Sequence, residues 1–304
     1  MNALPSLLLC ALFSWTLPSA DMTAEGWVAL FDGETTFGWT SETPDAWTVE
    51  EGTLLGCGPA RIATTTEFKN GKVQYETRCA ACQPWETKTA QIVDGALILE
   101  VPEGQAVSFR NVFFKPEGMK EIFNGKDLTG WKTYPEMDGK FTVNAEQKRL
   151  EAKNGLGMLE TEGTYGDFVF QSAVSLQPEV NSGFFFRCIP GEKLNGYECQ
   201  LNNSVIDGDR TQPKDAGSGA IFRRTVARYV PATDPELFRV TIIARGAHIA
   251  TWVNGLQITD WTDERKANPN PRRGLRVEPG TIMLQAHDVT TDCYFQDMKI
   301  NSWD

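Results

Sequence analysis

Two runs of the sequence carry side chains able to do chemistry. The first is Asn181-Ser182-Gly183-Phe184-Phe185-Phe186-Arg187-Cys188, and the second is Gly196-Tyr197-Glu198-Cys199-Gln200-Leu201-Asn202. They read as an antiparallel strand pair joined by a loop over 189–195. Side chains alternate faces along a strand, so Phe185 shares a face with Arg187, and Glu198 shares one with Gln200 and Asn202. Such a polar row is costly on a core face and free on a solvated one. A register that sets Arg187 against Gln200 also sets Cys188 against Cys199. That register predicts a polar cluster on one side of the pair and permits a cross-strand disulfide on the other.

The chain has two histidines. His248 opens a hairpin strand, where an exposed polar role suffices. His287 follows the apolar Met283-Leu284-Gln285-Ala286 and precedes Asp288. Strand ends are where sites are built, and a neighbouring carboxylate lets an imidazole titrate near neutral pH; a structural hydrogen-bonding role fits equally well. Asp207-Gly208-Asp209 offers a weak cation site without the remaining ligands of an EF-hand loop. Gly217-Ser218-Gly219 lacks the continuation of a dinucleotide fingerprint. No G-x-S-x-G elbow is present to support a nucleophile triad. Metal-binding His pairs are absent too.

The elements that must position these residues are strands. Runs 168–174 and 238–244 are rich in β-branched and aromatic residues, and 249–253 and 256–259 flank Asn254-Gly255. Asn-Gly between two such runs predicts a type I′ hairpin, because both turn positions need positive φ. No window keeps a helical period over three turns, so the pattern predicts an all-β sandwich. Trp252, Trp261 and Tyr197 could stack on sugar rings or fill the core.

The chain also repeats itself. Phe31-Asp32-Gly33 with Gly38-Trp39 returns, 92 residues on, as Phe123-Asn124-Gly125 with Gly130-Trp131. Phe109-Arg110-Asn111-Val112 matches Phe295-Gln296-Asp297-Met298 at an offset of 186. Two copies are therefore expected, a shortened one over 25–117 and one over 119–304 with about 94 additional residues.

Net charge is -11, which repels a phosphate backbone and argues against a nucleic-acid partner. The uncharged apolar run from Leu7 to Leu17, followed by Pro18-Ser19-Ala20, reads as a signal peptide of residues 1–20. Secretion or a periplasmic location is expected, with no transmembrane span in the mature chain. Six cysteines then remain, including Cys79-Ala80-Ala81-Cys82, best read as a local disulfide or inert thiols.

Asn181-Ser182-Gly183 with Arg187, Gly196-Tyr197-Glu198 with Gln200, Gly219-Ala220-Ile221, Trp252-Val253-Asn254-Gly255 and Leu284-Gln285-Ala286-His287 occur in an order and spacing that resemble the 3-keto-disaccharide hydrolase family. The resemblance covers nearly all of 119–304. It implies a concanavalin- or laminin-G-like jelly-roll sandwich with a concave sugar-facing sheet. It also implies a saccharide substrate and cleavage of 3-keto-glycosides by elimination and hydration. Glu198 and His287 are then the expected catalytic base and acid. Arg187, Gln200, Asn181, Asn202 and Arg223 are the expected substrate-binding residues. A divalent metal could serve as electrophile, with no ligands identifiable. The first copy matches only the two ends of the domain, which implies that it is not catalytic. The alternative functions are a carbohydrate-binding module or a structural surface protein.

Overall fold

The structure, a computed structural model, describes residues 15–79 and 83–303. It is built almost wholly of antiparallel strands, as the sequence predicts. Residues 119–303 form a β-sandwich. One layer is an eight-stranded sheet ordered Lys140–Asn144, Arg149–Lys153, Asp292–Ser302, Phe168–Leu176, Phe238–Arg245, His248–Val253, Leu256–Thr262, with Lys120–Glu121 beside Asp292–Ser302. The other is a five-stranded sheet ordered Trp131–Thr133, Gly157–Thr161, Thr281–Ala286, Ser182–Cys188, Tyr197–Leu201. Alternation turns Leu159, Leu284, Phe184, Phe186, Tyr197 and Cys199 inward, where they meet Phe168, Phe170, Ile242 and Phe295 of the larger sheet. Phe184 packs edge-on against both Phe170 and Phe295, at 5.0 and 5.4 Å between ring centroids.

The earlier residues form a smaller pair of sheets. One is ordered Trp47–Glu50, Thr53–Cys57, Ala106–Pro116, Phe68–Cys79, Glu86–Gly95, with Val28–Ala29 beside Ala106–Pro116; the other is Trp39–Ser41, Ala60–Thr64, Ile98–Val101. Local details recur at the spacing of the sequence repeat. Trp39 Nε1 donates to the Leu30 carbonyl at 2.6 Å, and Trp131 Nε1 to the Ile122 carbonyl at 2.8 Å. Asp32 and Asn124 each accept backbone N–H groups two and three residues on. Asn111 and Asp297 both take positive φ, 51° and 53°, each in the last long strand of its unit.

The smaller unit packs on the back of the eight-stranded sheet. Val169, Ile243, Ala250 and Trp252 join its apolar cluster with Phe31, Phe68 and Phe114. Trp252 Nε1 donates to the Ala29 carbonyl at 2.8 Å and is 1% exposed. Trp252 is thus core rather than a sugar-stacking surface. Tyr197 is also core, stacked on Phe186 at 5.5 Å. His248 lies between the units, bridging Asp260 at 3.1 Å and Thr66 at 3.2 Å. The five-stranded sheet's outer face is left to the loops of its own unit.

Residues 1–14 of the expected signal peptide lie outside the described residues, as does Cys82 of the C-x-x-C. Ser19 caps the short helix Ala20–Ala24, which spans the expected cleavage point. No helix among the described residues is long and apolar enough to cross a membrane.

Candidate functional site

Ser182–Cys188 and Tyr197–Leu201 do pair antiparallel, but in another register. Gly183 lies opposite Gln200, Phe184 opposite Cys199, and Phe185 opposite Glu198. The slip from the expected register is an even number of residues, so Glu198 and Gln200 stay on the face that carries Phe185. It moves both Arg187 and Cys188 out of register with them. Cys188 packs in the outer cluster with Phe185 and Met283, whereas Cys199 packs in the inner core. Both thiols are free, so the expected cross-strand disulfide is corrected: the two cysteines face opposite sides of the sheet.

Arg187 is corrected as well. The pairing of Ser182–Cys188 with Thr281–Ala286 breaks between Phe185 and Cys188, and Arg187 there has φ 49°. This bulge takes Arg187 off the face that carries Phe185. Its guanidinium is fully buried and donates to the carbonyls of Gly166, Gly246 and Arg276 and to Asp167 Oδ1, at 2.6 to 3.1 Å. It ties loops of both sheets together.

Glu198 and Gln200 stay on the outer face. Glu198 is 7% exposed, and burial raises its carboxyl to about 7, against smaller lowering effects from Arg272 and His287. Arg272 Nη2 donates to Glu198 Oε2 at 3.3 Å, and the guanidinium lies 5.2 Å from the Phe185 ring centroid. Its Nε donates to the Leu194 carbonyl at 3.2 Å. Nothing local in Pro271-Arg272-Arg273 marked it beforehand, because a loop delivers it across the sheet.

Gln200 Nε2 donates to Asn181 Oδ1 at 3.2 Å and to Asp215 Oδ2 at 3.1 Å, and Asn181 Nδ2 also donates to Asp215. This orients the amide and leaves Gln200 Oε1 buried without a partner. Gln285 Oε1 is buried and unpartnered too. Because Leu284 pairs with Phe184, Gln285 stands on the far side of Gly183 from Gln200. The two amides therefore flank a position without a side chain. Buried polar atoms of this kind call for a hydrogen-bonding ligand or water.

His287 lies at the end of the Thr281–Ala286 strand, partly exposed, with Nδ1 2.9 Å from Asp288 Oδ2. Hydrogen bonds from Thr290 and His287 hold the Asp288 carboxyl down, at about 2. Asp288 thus engages Nδ1 and leaves Nε2 of His287 for other work. Asn202 is turned to local structure: its Oδ1 accepts from Ser204 N at 2.9 Å. Arg223 is exposed at the mouth of a cavity of about 210 Å³, which Glu198, Arg224 and Arg272 also line. Asp209 is occupied by Thr211 and Gln212. Among the described residues no group of three or more His, Cys, Asp or Glu is placed to hold a metal ion.

Sequence reasoning missed a second carboxylate on this face. Glu160 is 1% exposed and accepts from Thr281 Oγ1 at 2.7 Å, from Gly191 N at 3.0 Å and from the Tyr134 hydroxyl. Burial pushes its carboxyl up, but these donors and Lys132 outweigh it, and the net result is lowered.

The model of the 3-keto-alpha-glucoside-1,2-lyase-like domain matches residues 118–301. The chain belongs to that family. No functionally curated protein matches it. Among solved structures, a candidate glycosyl hydrolase from Parabacteroides distasonis is 21% identical with a TM-score of 0.49, covering 62% of this chain and 95% of that one. The carbohydrate-binding module CBM66 from Bacillus subtilis is 16% identical with a TM-score of 0.41, covering 57% and 96%. Each match covers about the length of the lyase-like domain. Glu198, Gln200, Gln285 and His287 all lie within the part of the chain matched by the family.

Proposed function

We propose that the lyase-like domain cleaves 3-keto-glycosides by elimination across C1–C2, followed by hydration. The observation that carries this reading is Glu198, a carboxyl raised to about 7 beside an open cavity, which suits it to take and return a proton at neutral pH. A ketone at C3 acidifies the C2 proton. Glu198 removes it, and the electron pair moves to the C3 oxygen as an enolate. The enolate collapses, the C1–oxygen bond breaks, and the departing aglycone oxygen takes a proton from His287. Water then adds at C1 of the unsaturated ketone and a proton returns to C2, giving net hydrolysis. Arg272 is the guanidinium beside Glu198 and supplies positive charge for the enolate. The amides of Gln200 and Gln285 hold sugar hydroxyls over Gly183, with Asn181 orienting Gln200.

Ordinary glycoside hydrolysis needs two carboxyls about 5 to 9.5 Å apart. Glu160 pairs in register with Met283, Met283 with Phe185, and Phe185 with Glu198. Three inter-strand steps separate the two backbone positions, about 14 Å at the usual strand spacing. Asp215, which accepts from Gln200 and whose charge helps raise the Glu198 carboxyl, is a further carboxylate at the site.

The buried, unpartnered amide oxygens also suit a second reading, a domain that binds saccharide without cleaving it. Aglycone release from 3-keto-glucosides, measured against the unoxidised glucosides, separates the two. The expected result is cleavage of the keto form alone, lowered by about 100-fold or more in Glu198→Gln. Full activity in that variant would refute the assignment, and sugar affinity without turnover would establish the binding module.

The recurring strand order and the paired tryptophan bonds support residues 25–117 as a shortened copy that covers the back of the lyase-like domain. Export by a cleaved leader remains part of this proposal.

A further inference from the structure

The cavity beside Glu198 is strongly positive in a chain whose net charge is -11. Arg223, Arg224 and Arg272 line it, and Glu198 is the one carboxylate in the lining. Arg223 is exposed and rests 5.4 Å from the Phe222 ring centroid. Arg224 donates only to main-chain oxygens, of Arg223 at 3.0 Å and Arg272 at 2.8 Å. Among the described residues neither meets a carboxylate. The nearby Asp263 is occupied by Arg265 at 2.7 Å and by the Tyr197 hydroxyl at 2.7 Å. Three guanidiniums thus converge where one carboxyl, itself readily protonated, balances them. Burial and repulsion from Arg265 hold the Arg224 guanidinium below its ordinary range.

Water can solvate these guanidiniums, and together they offer a ligand anion converging charged donors. Guanidinium forks match planar carboxylates and sulfate oxygens in paired hydrogen bonds, whereas a neutral hydroxyl needs no such concentration of charge. The cavity holds the volume of about seven waters, enough for an anionic group and part of a ring. We infer that this cavity binds the carboxylate or sulfate group of an acidic saccharide, seated beside the sugar on which Glu198 acts. Only the position of the reacting bond rests on the proposed elimination; the anion site stands on the arginines alone.

The test is calorimetric titration of the full chain at constant ionic strength with D-glucuronate, D-glucose and inorganic sulfate. The variants are Arg223→Gln and the double Arg223→Gln/Arg224→Gln. The expected result is glucuronate binding at least ten-fold tighter than glucose. The double variant should lose ten-fold or more of that affinity, and the exposed single variant, which leaves the fold untouched, part of it. Equal affinities for glucuronate and glucose, or glucuronate affinity unchanged in both variants, would overturn the inference. Sulfate binding tighter than glucuronate would overturn the saccharide part and leave a simple anion site. Turnover of a neutral 3-keto-glucoside is measured in parallel: its absence with glucuronate binding intact sinks the elimination reading alone.

Discussion

Glu160 and Glu198 stand in one register row on the outer face of the five-stranded sheet, with Met283 and Phe185 between them. Both are buried, yet their carboxyls are driven in opposite directions. Glu160 is surrounded by donors, while Glu198 has one long contact to Arg272. Environments that push two carboxyls apart suit different roles: Glu160 is held in its ionised form, and Glu198 is suited to the proton exchange of the proposed reaction.

The raised Glu198 carboxyl costs stability in a definite pH window. Its folded value of about 7 exceeds the free value of 4.5, so the folded chain binds this proton more tightly than the unfolded chain. Stability falls as pH rises from about 4.5 to about 7, and the penalty levels off above that at about 3 kcal/mol. Glu198→Gln removes the penalty. Its melting temperature should match the parent near pH 4.5 and exceed it at pH 8. A constant difference across that range would contradict the burial argument.

A chain of contacts runs from Glu160 to Glu198 through a loop. Glu160 holds Gly191, the same loop presents the Leu194 carbonyl to Arg272, and Arg272 reaches Glu198. In Glu160→Gln the new amide cannot accept from all these donors. The loop should loosen and Arg272 should lower the Glu198 carboxyl less. The acidic limb of the activity profile should therefore move to higher pH. A variant that melts earlier but keeps its pH profile would show that Glu160 is only structural.

Gly183 forms the floor between Gln200 and Gln285. A Cβ there would meet Glu198 Oε1 at 3.2 Å and Phe185 Cε2 at 3.3 Å. The carboxylate end can yield, so Gly183→Ala should cost about 1–2 kcal/mol. Saccharide affinity or KM should worsen about ten-fold while the fold persists. Unchanged KM would place the sugar elsewhere.

Arg187 contributes stability rather than recognition. Arg187→Met removes the guanidinium that donates to Asp167 and to three carbonyls, which should cost about 3 kcal/mol in urea unfolding. Ligand affinity, measured where the variant is still folded, should be unchanged. A loss of affinity without a loss of stability would restore the substrate-binding role expected from sequence.

Local chemistry made much of this protein legible in the sequence. The Asn254-Gly255 hairpin forms as expected, with φ 48° and 80°. The 168–174 and 238–244 runs are strands, and period-two alternation put Glu198 and Gln200 on one face. The repeated Gly-Trp signatures mark matching tryptophan–carbonyl bonds. These features depend on neighbours in the chain, where turn φ and side-chain alternation operate. Tertiary structure decided the rest. Register is chosen by which aromatic residues fill the sandwich, so Phe184 rather than Cys188 faces Cys199. A bulge, invisible to a period-two reading, turned Arg187 away from the face of Phe185. Arg272, Asp215 and Glu160 reach the site from distant loops and strands, and packing of the first unit against Trp252 settled which side of the sandwich is covered. Sequence spacing along a strand sets direction, but contacts across a sheet are set by the whole core at once.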